Sequence, residues 1–307
     1  MHKTGESKPS VKLPVVDTAL ASYRFLVDHP RDLLRIGWLP LILVFAVALY
    51  FGSFDAMTPA ASGQATGWTV VLNGLAGSLV QGAISVIVLV AWHRLVMKDY
   101  RIAGLEQQKS GGRPGLREAL YFLQMLLLSI LFLLLWLTVF LIAEFVLIFG
   151  YLIVGGLGAI KSASADPEAF GQDPAFVVLG FIAIVIGLLP AFYVALRLSL
   201  VLPATATEDR RGRLAQAWAA SEGNGWRMLF ATILAMLPIE AFNFGIGYLA
   251  SGNSGNALYY PLVLLASIGL VIMMAVLGTV LSRCYAFLQY GAPMTAEIDT
   301  KTTTGLA

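Results

Sequence analysis

The sequence predicts an all-α polytopic membrane protein with six transmembrane helices and cytoplasmic amphipathic helices. Three observations carry this. Hydrophobic residues make up 58% of the 307-residue chain and charged residues only 12%, against about 25% charged in a soluble domain. The mean hydropathy is +0.79. Six stretches reach the ~20 apolar residues that a helix needs to cross the hydrocarbon core. So few charges cannot coat a globule of this size, which excludes a soluble globular protein, a disordered chain and a secreted disulfide scaffold.

The elements follow in chain order. Residues 1–35 hold Lys3, Lys8, Lys12, Arg24, Arg31 and Arg35 with no early apolar core. They do not read as a cleavable signal peptide, so the first span is expected to stay as an anchor. It runs from Leu33 to Phe54 with Pro40 in its first turns, and the second runs from Thr69 to Met97. The stretch Ala119–Ile160 has one charge, Glu144, in 42 residues. It is too long for one straight span and short for two with a turn. A span over about 119–145 is expected, followed by an apolar extension through Gly150, Gly155, Gly156 and Gly158, either a kinked continuation or a re-entrant piece. The last three spans are Ala175–Leu198, Trp226–Ala250 and Leu258–Tyr285. The domain plan is a disordered cytoplasmic tail at 1–14, a membrane domain at 15–290 and a second disordered tail at 291–307.

Charge sets the orientation. Segments 1–35, 94–118, 197–227 and 283–307 carry 6, 6, 5 and 2 lysines and arginines, 19 of the 20 in the chain. The opposite side holds Lys161 together with Asp55, Asp166, Glu168 and Asp173. By the positive-inside rule both termini are cytoplasmic. Trp38, Trp68, Trp92 and Trp226 fall near the proposed interfaces, where an amphipathic ring is favoured. Trp136 falls mid-span.

The spans also read as three hairpins, each entered through a cytoplasmic segment. Val16, Leu20, Tyr23 and Val27 recur at helical spacing, then His29-Pro30 breaks the pattern before Arg31-Asp32-Leu33-Leu34. Leu214–Ser221 breaks at Gly223-Asn224-Gly225 before Trp226-Arg227-Met228-Leu229. Between them, Gly111-Gly112-Arg113-Pro114-Gly115 precedes Leu116-Arg117-Glu118. Arg94, Arg197 and Arg283 close the even-numbered spans. Either an internal repeat or the general preference of inward helix ends for arginine accounts for this. The amphipathic segments are too short to span. They either lie in the interface plane, with Arg31, Arg117, Trp218, Trp226 and Arg227 touching anionic headgroups, or pack on the cytoplasmic ends of the spans.

Polar groups inside the membrane are the candidates for function, because burying them in lipid is costly. The second span carries Asn73, Gly77, Gln81 and Ser85 four apart, with His93 further along. Gly74, Ser78 and Gly82 form an adjacent line of small residues. Both lines mark a face that meets other helices or lines a substrate path. Glu144 and Glu240 are the acids within spans. Glu144 falls near the outer interface. Glu240 lies some 13 residues, ~20 Å, past Arg227, beyond Pro238 and one turn before Asn243. No lysine or arginine lies at that depth, so desolvation favours its protonated form. It then either donates a structural hydrogen bond to Asn73 or Gln81, or forms a proton or substrate site with Asn243, Asn73 and Gln81.

Other chemistry lacks its residues. His2, His29 and His93 are not at ligand spacing, so no metal is expected, and Cys284 has no partner for an intrachain disulfide. There is no GxxxxGK[ST], HExxH or CxxC. The Gly155-Gly156-Leu157-Gly158 cluster lies in an apolar stretch and is no dinucleotide loop. Ser129 and Ser267 have no nearby His. No enzyme, cofactor or nucleic-acid partner is expected.

The run from Arg197 through Pro203 to Ala217-Trp218-Ala219-Ala220-Ser221-Glu222-Gly223-Asn224-Gly225-Trp226-Arg227, with His29-Pro30 and Leu33-Leu34, resembles the six-span bacterial inner-membrane proteins of the YciC type. It is also similar to the membrane domain that precedes some glycerophosphodiester phosphodiesterases. The resemblance covers roughly 15–290 and implies a six-helix membrane fold in a bacterial inner membrane, with no established activity. With 14 residues after Pro293, the phosphodiesterase activity is not carried over. Two functions are left open. One is organising or handling membrane lipid or envelope partners. The other is a small-molecule or lipid transporter, proton-coupled through Glu240. Membrane lipids are the expected partners, and the small-residue line allows a homo-oligomer or a membrane-protein partner.

Overall fold

The computed structural model describes residues 12–51, 67–100, 115–165, 174–209, 213–253 and 255–291. Among the described residues the regular structure is helical, with no strand. In chain order the helices are α1 (Val15–Asp28), α2 (Pro30–Phe51), α3 (Gly67–Asp99), α4 (Leu116–Ala165), α5 (Pro174–Leu198), α6 (Val201–Ala206), α7 (Leu214–Ala220), α8 (Gly225–Ser251) and α9 (Tyr259–Tyr290). Six stretches are long and apolar enough to cross a membrane: Pro30–Phe51, Leu72–Lys98, Leu116–Tyr151, Val178–Ala206, Gly225–Ser251 and Tyr259–Tyr290. The chain is an all-α polytopic membrane protein. The bulk of each tail (1–11 and 292–307), Asp55, Asp166, Glu168, Asp173 and the break at Gly111–Pro114 lie outside the described residues.

Local chemistry explains the boundaries. Proline disfavours the α region in the residue before it, so α1 stops at His29, whose N–H reaches back to the Phe25 carbonyl at 3.1 Å. Pro30 then opens α2 as its first residue, where its missing N–H costs nothing. At the start of α4, the Gly115 N–H donates to the Glu118 carboxylate at 2.7 Å, one half of a capping box. Gly223, at φ 74°, makes the turn before α8, and Gly291, at φ 67°, ends α9 in the left-handed cap that glycine adopts without strain.

The stretch after residue 145 is settled by the length of α4, which is one helix of 50 residues. Of the two expected readings, continuation holds and a re-entrant piece does not. The four glycines are tolerated because a helix interior charges only about 1 kcal/mol for each, and no proline interrupts them.

The chain divides into two compact units, residues 1–124 with 199–307, and residues 125–198. In the first, α9 is the central element and packs against α1, α2, α3, α6 and α8. Its small and β-branched side chains, among them Ala266, Gly269, Val276, Gly278 and Val280, are buried and let these neighbours approach. The core gathers Leu200, Met228, Ile239, Val276, Cys284 and Tyr285. Leu13, assigned by the sequence to the tail, is fully buried. Its N–H donates to Asn224 Oδ1 at 2.8 Å, and its carbonyl accepts from Arg227 Nη1 at 2.9 Å.

In the second unit, the part of α4 from Met125 pairs with α5. A Cβ on Gly187 would stand 3.2 Å from the Phe140 backbone, which shows how closely the two helices cross. The Phe132 and Phe192 rings meet at 4.9 Å, and Trp136 stacks on Phe140 of its own helix at 5.5 Å.

Candidate functional site

A cavity of about 300 Å³ lies among α2, α3, α8 and α9. Val44 and Ala48 line it from α2, Gln81 from α3, Glu240, Asn243 and Phe244 from α8, and Ala266, Ser267, Leu270 and Met273 from α9. Three residues singled out in the sequence, Gln81, Glu240 and Asn243, thus share one space. Asn73 is not among the lining residues and is exposed on α3.

Helical periodicity explains which residues arrive there. Glu240 and Asn243 are three apart on α8 and therefore neighbours on one face. Pro238, just before them, cannot donate to the Leu234 carbonyl, so the ladder is looser at this level. Gln81 reaches the cavity because α3 packs on both α2 and α9.

The polar atoms are differently engaged. Ser267 donates its hydroxyl to the Val263 carbonyl at 2.8 Å, so its oxygen faces the cavity as an acceptor. Asn243 Oδ1 is buried without a hydrogen-bond partner among the described residues. It lies against Gly269, where a Cβ would collide with it. Glu240 makes no hydrogen bond or ion pair among the described residues and is exposed at the bundle surface, as is Phe244. The expected hydrogen bond from Glu240 to Asn73 or Gln81 is not formed.

The two lines on α3 separate along the helix. Gly77 packs under the Phe51 ring, and Gln81 and Ser85 are half-buried, but Asn73, Gly74 and Ser78 are exposed. Ser78 donates to the Gly74 carbonyl at 2.8 Å and Ser85 to the Gln81 carbonyl at 2.7 Å. A serine satisfied by its own helix needs no partner helix.

His93 ends the polar line in a fully buried position. Its Nδ1 lies 2.7 Å from Ser282 Oγ and its Nε2 2.9 Å from the Tyr121 hydroxyl. Next to it, Trp92 Nε1 donates to Thr279 Oγ1 at 2.8 Å. Both ring nitrogens of His93 are taken, and the cluster ties α3, the first turns of α4 and α9 together. Sequence reasoning identified His93 but not Tyr121, Ser282 or Thr279, whose long separations along the chain leave no local signal.

The residues expected at the membrane surface divide into two groups. Arg31, Trp218 and Trp226 are exposed. Arg117 is engaged within the fold, donating to Glu208 at 2.6 Å and Glu118 at 2.8 Å with its side chain only 10% exposed. Arg227 is occupied by the Leu13 carbonyl. Below them, Tyr285 donates to Asp209 at 2.6 Å and Tyr290 donates to the same carboxylate oxygen. Arg283 stands over the Phe25 and Tyr100 rings, 5.8 Å from each centroid. The Glu208-Asp209 pair was missed because two acids in a basic loop read as solvated.

On α1 the inward face is Thr18, Ala19, Ala21, Ser22 and Phe25, while Val16, Leu20 and Val27 point outward. Four of these five are small and let α1 lie close on α8 and α9, and Phe25 is buried beside them. Tyr23 donates to the Ala235 carbonyl of α8 at 2.5 Å, and burial pushes its phenol above the ordinary value.

Among the described residues no group of three or more His, Cys, Asp or Glu is placed to hold a metal ion. Compared with protein-family models, curated proteins and solved structures, the chain matches none of them.

Proposed function

We propose that this chain is a multi-pass protein of a bacterial inner membrane, with both termini cytoplasmic, that performs no catalysis and handles membrane lipid in the cavity lined by Gln81, Glu240 and Asn243. The observation that carries this is the cavity. Its walls are mostly apolar, its few polar groups converge, and the exposure of Glu240 and Phe244 opens it sideways from the bundle. Binding sites of this kind combine an apolar lining with a few polar groups that fix orientation. The lateral opening favours a ligand that arrives through the bilayer.

The cytoplasmic placement of the termini rests on the 19 basic residues assigned to one side. Membership of the YciC-type family is proposed on the Arg197–Arg227 pattern. Exposed Gly74 and Ser78 on α3 offer a close-packing face for a second copy. The outward apolar stripe of α1, with Arg31 beyond it, suits the inner-leaflet interface.

Native mass spectrometry of the full chain in mild detergent tests the lipid reading. A lipid retained at fixed stoichiometry by the wild type and lost in Gln81→Phe, which fills the cavity from α3, is the expected result. The same lipid complement in both would overturn it.

A second reading is proton-coupled transport. It is favoured by the position of Glu240, a carboxylate at membrane depth with no cationic partner among the described residues. In proteoliposomes, proton flux that Glu240→Gln abolishes at unchanged protein abundance supports it. Equal loss of flux and abundance assigns Glu240 a structural role.

A further inference from the structure

We propose that the Glu240 cavity selects a lipophilic organic cation: an ammonium-type head on an apolar body. The inference rests on the cavity being a ligand site and names the chemical class it takes.

Sign comes first. Among the described residues that line the cavity, Glu240 is the one ionisable group, and no lysine or arginine joins it. A carboxylate at this depth is costly unless a counter-ion meets it, and none of the described residues supplies one there. A bound cation completes the pair. An anion would meet Glu240 with no compensating charge.

Donor and acceptor balance points the same way. Ser267 has spent its hydrogen on the Val263 carbonyl and offers oxygen lone pairs. Phe244, 69% exposed at the mouth, presents a ring whose face attracts cations. The serine oxygen and the ring face suit a cation, and the Gln81 and Asn243 amides, with both N–H donors and an oxygen, suit either sign, so Glu240 sets the preference.

The walls exclude a hard metal ion. Calcium takes six to eight oxygen ligands and magnesium a near-ideal octahedron. Here one carboxylate, two amides and one hydroxyl are set among Val44, Ala48, Leu270 and Met273. Such walls favour an apolar body behind the charged head.

The experiment uses the full chain in a non-ionic maltoside detergent with radiolabelled benzyltrimethylammonium, and benzylsulfonate as a competitor of the same body and opposite charge. Saturable binding is expected, displaced by unlabelled cation and not by the sulfonate. Glu240→Gln is expected to weaken it at least tenfold. Phe244→Ala, at an exposed position where folding is not at stake, is expected to weaken it about fivefold and keeps the test decisive if the glutamate variant does not fold. Equal competition by the sulfonate would overturn the proposal, as would unchanged cation binding in both variants. If the wild type binds no cation yet holds a lipid that Gln81→Phe loses, the cation inference fails and the ligand site stands. If neither probe binds and the lipid complement is unchanged in Gln81→Phe, both fail.

Discussion

Arg117 places Nη1 2.6 Å from a carboxylate oxygen of Glu208, and Glu208 is the one non-glycine residue with a left-handed backbone, φ 59°, among the described residues. The strain belongs to a helix ending. The Asp209 N–H bonds to the Ala204 carbonyl and the Glu208 N–H to that of Thr205, a Schellman cap with Glu208 where glycine is usual. A left-handed non-glycine residue costs about 1–2 kcal/mol. The carboxylate is kept there because it holds Arg117, and through it the first turn of α4.

Glu208→Ala keeps the strain and loses the ion pair, while Glu208→Gly loses the pair and relieves the strain. Thermal melting in detergent is therefore expected to rank wild type above Glu208→Gly, and Glu208→Gly above Glu208→Ala by about 1 kcal/mol. The reverse order of the two variants would show that residue 208 carries no backbone strain, and a Glu208→Gly variant as stable as the wild type would show that the pair does not outweigh that strain.

The His93 cluster behaves as a unit. Replacing His93 by Leu leaves the Tyr121 and Ser282 hydroxyls buried without their ring partner, and each such group costs about 1–3 kcal/mol. The triple variant His93→Leu, Tyr121→Phe, Ser282→Ala removes all three polar partners and is expected to recover most of that loss. Unfolding curves for the single and triple variants measure it. A triple variant no more stable than the single one would show that size, not hydrogen bonding, holds His93 in place.

Gly269 and Asn243 form a steric pair. A methyl group on Gly269 meets Asn243 Oδ1, so Gly269→Ala is expected to destabilise by about 1–3 kcal/mol through overpacking. Asn243→Ala removes the obstacle and restores stability in the double variant. A double-mutant cycle reads the coupling, and strict additivity would dismiss the contact.

Tyr23 gives the fold an alkaline limit. Its phenol has a higher pKa when folded than when unfolded, because burial disfavours the phenolate. The neutral form therefore contributes stability that is fully present below about pH 10 and is lost as pH rises through the raised folded value. Tyr23→Phe is expected to lower stability by about 1 kcal/mol near neutrality. The gap should close above the ordinary tyrosine range. A gap that stays constant to high pH would contradict the assignment.

Much of this architecture can be read along the chain. Pro30 announces the α1–α2 break, because a proline restricts the residue before it. Glu240 and Asn243 share a face by their spacing on one helix. Asn73 shows the limit of that logic. It has the same four-residue spacing as Gln81, but helical period assigns a face without saying how far a neighbouring helix extends along it. Glu208 was invisible because its backbone conformation comes from a cap and its pairing from α4, 91 residues away.

The solvent, the spans and the charge asymmetry are properties of the sequence by itself. Hydropathy and charge act residue by residue, and their sums need no knowledge of neighbours. The lining of the cavity, the partners of His93, the engagement of Arg117 and the inward face of α1 were decided only by tertiary structure. They depend on the rotation and tilt of each helix, which packing against other helices sets. On α1 the outcome split the apolar stripe: close approach to α8 and α9 buries small side chains together with Phe25 and turns Tyr23 inward, and it leaves Val16, Leu20 and Val27 facing outward.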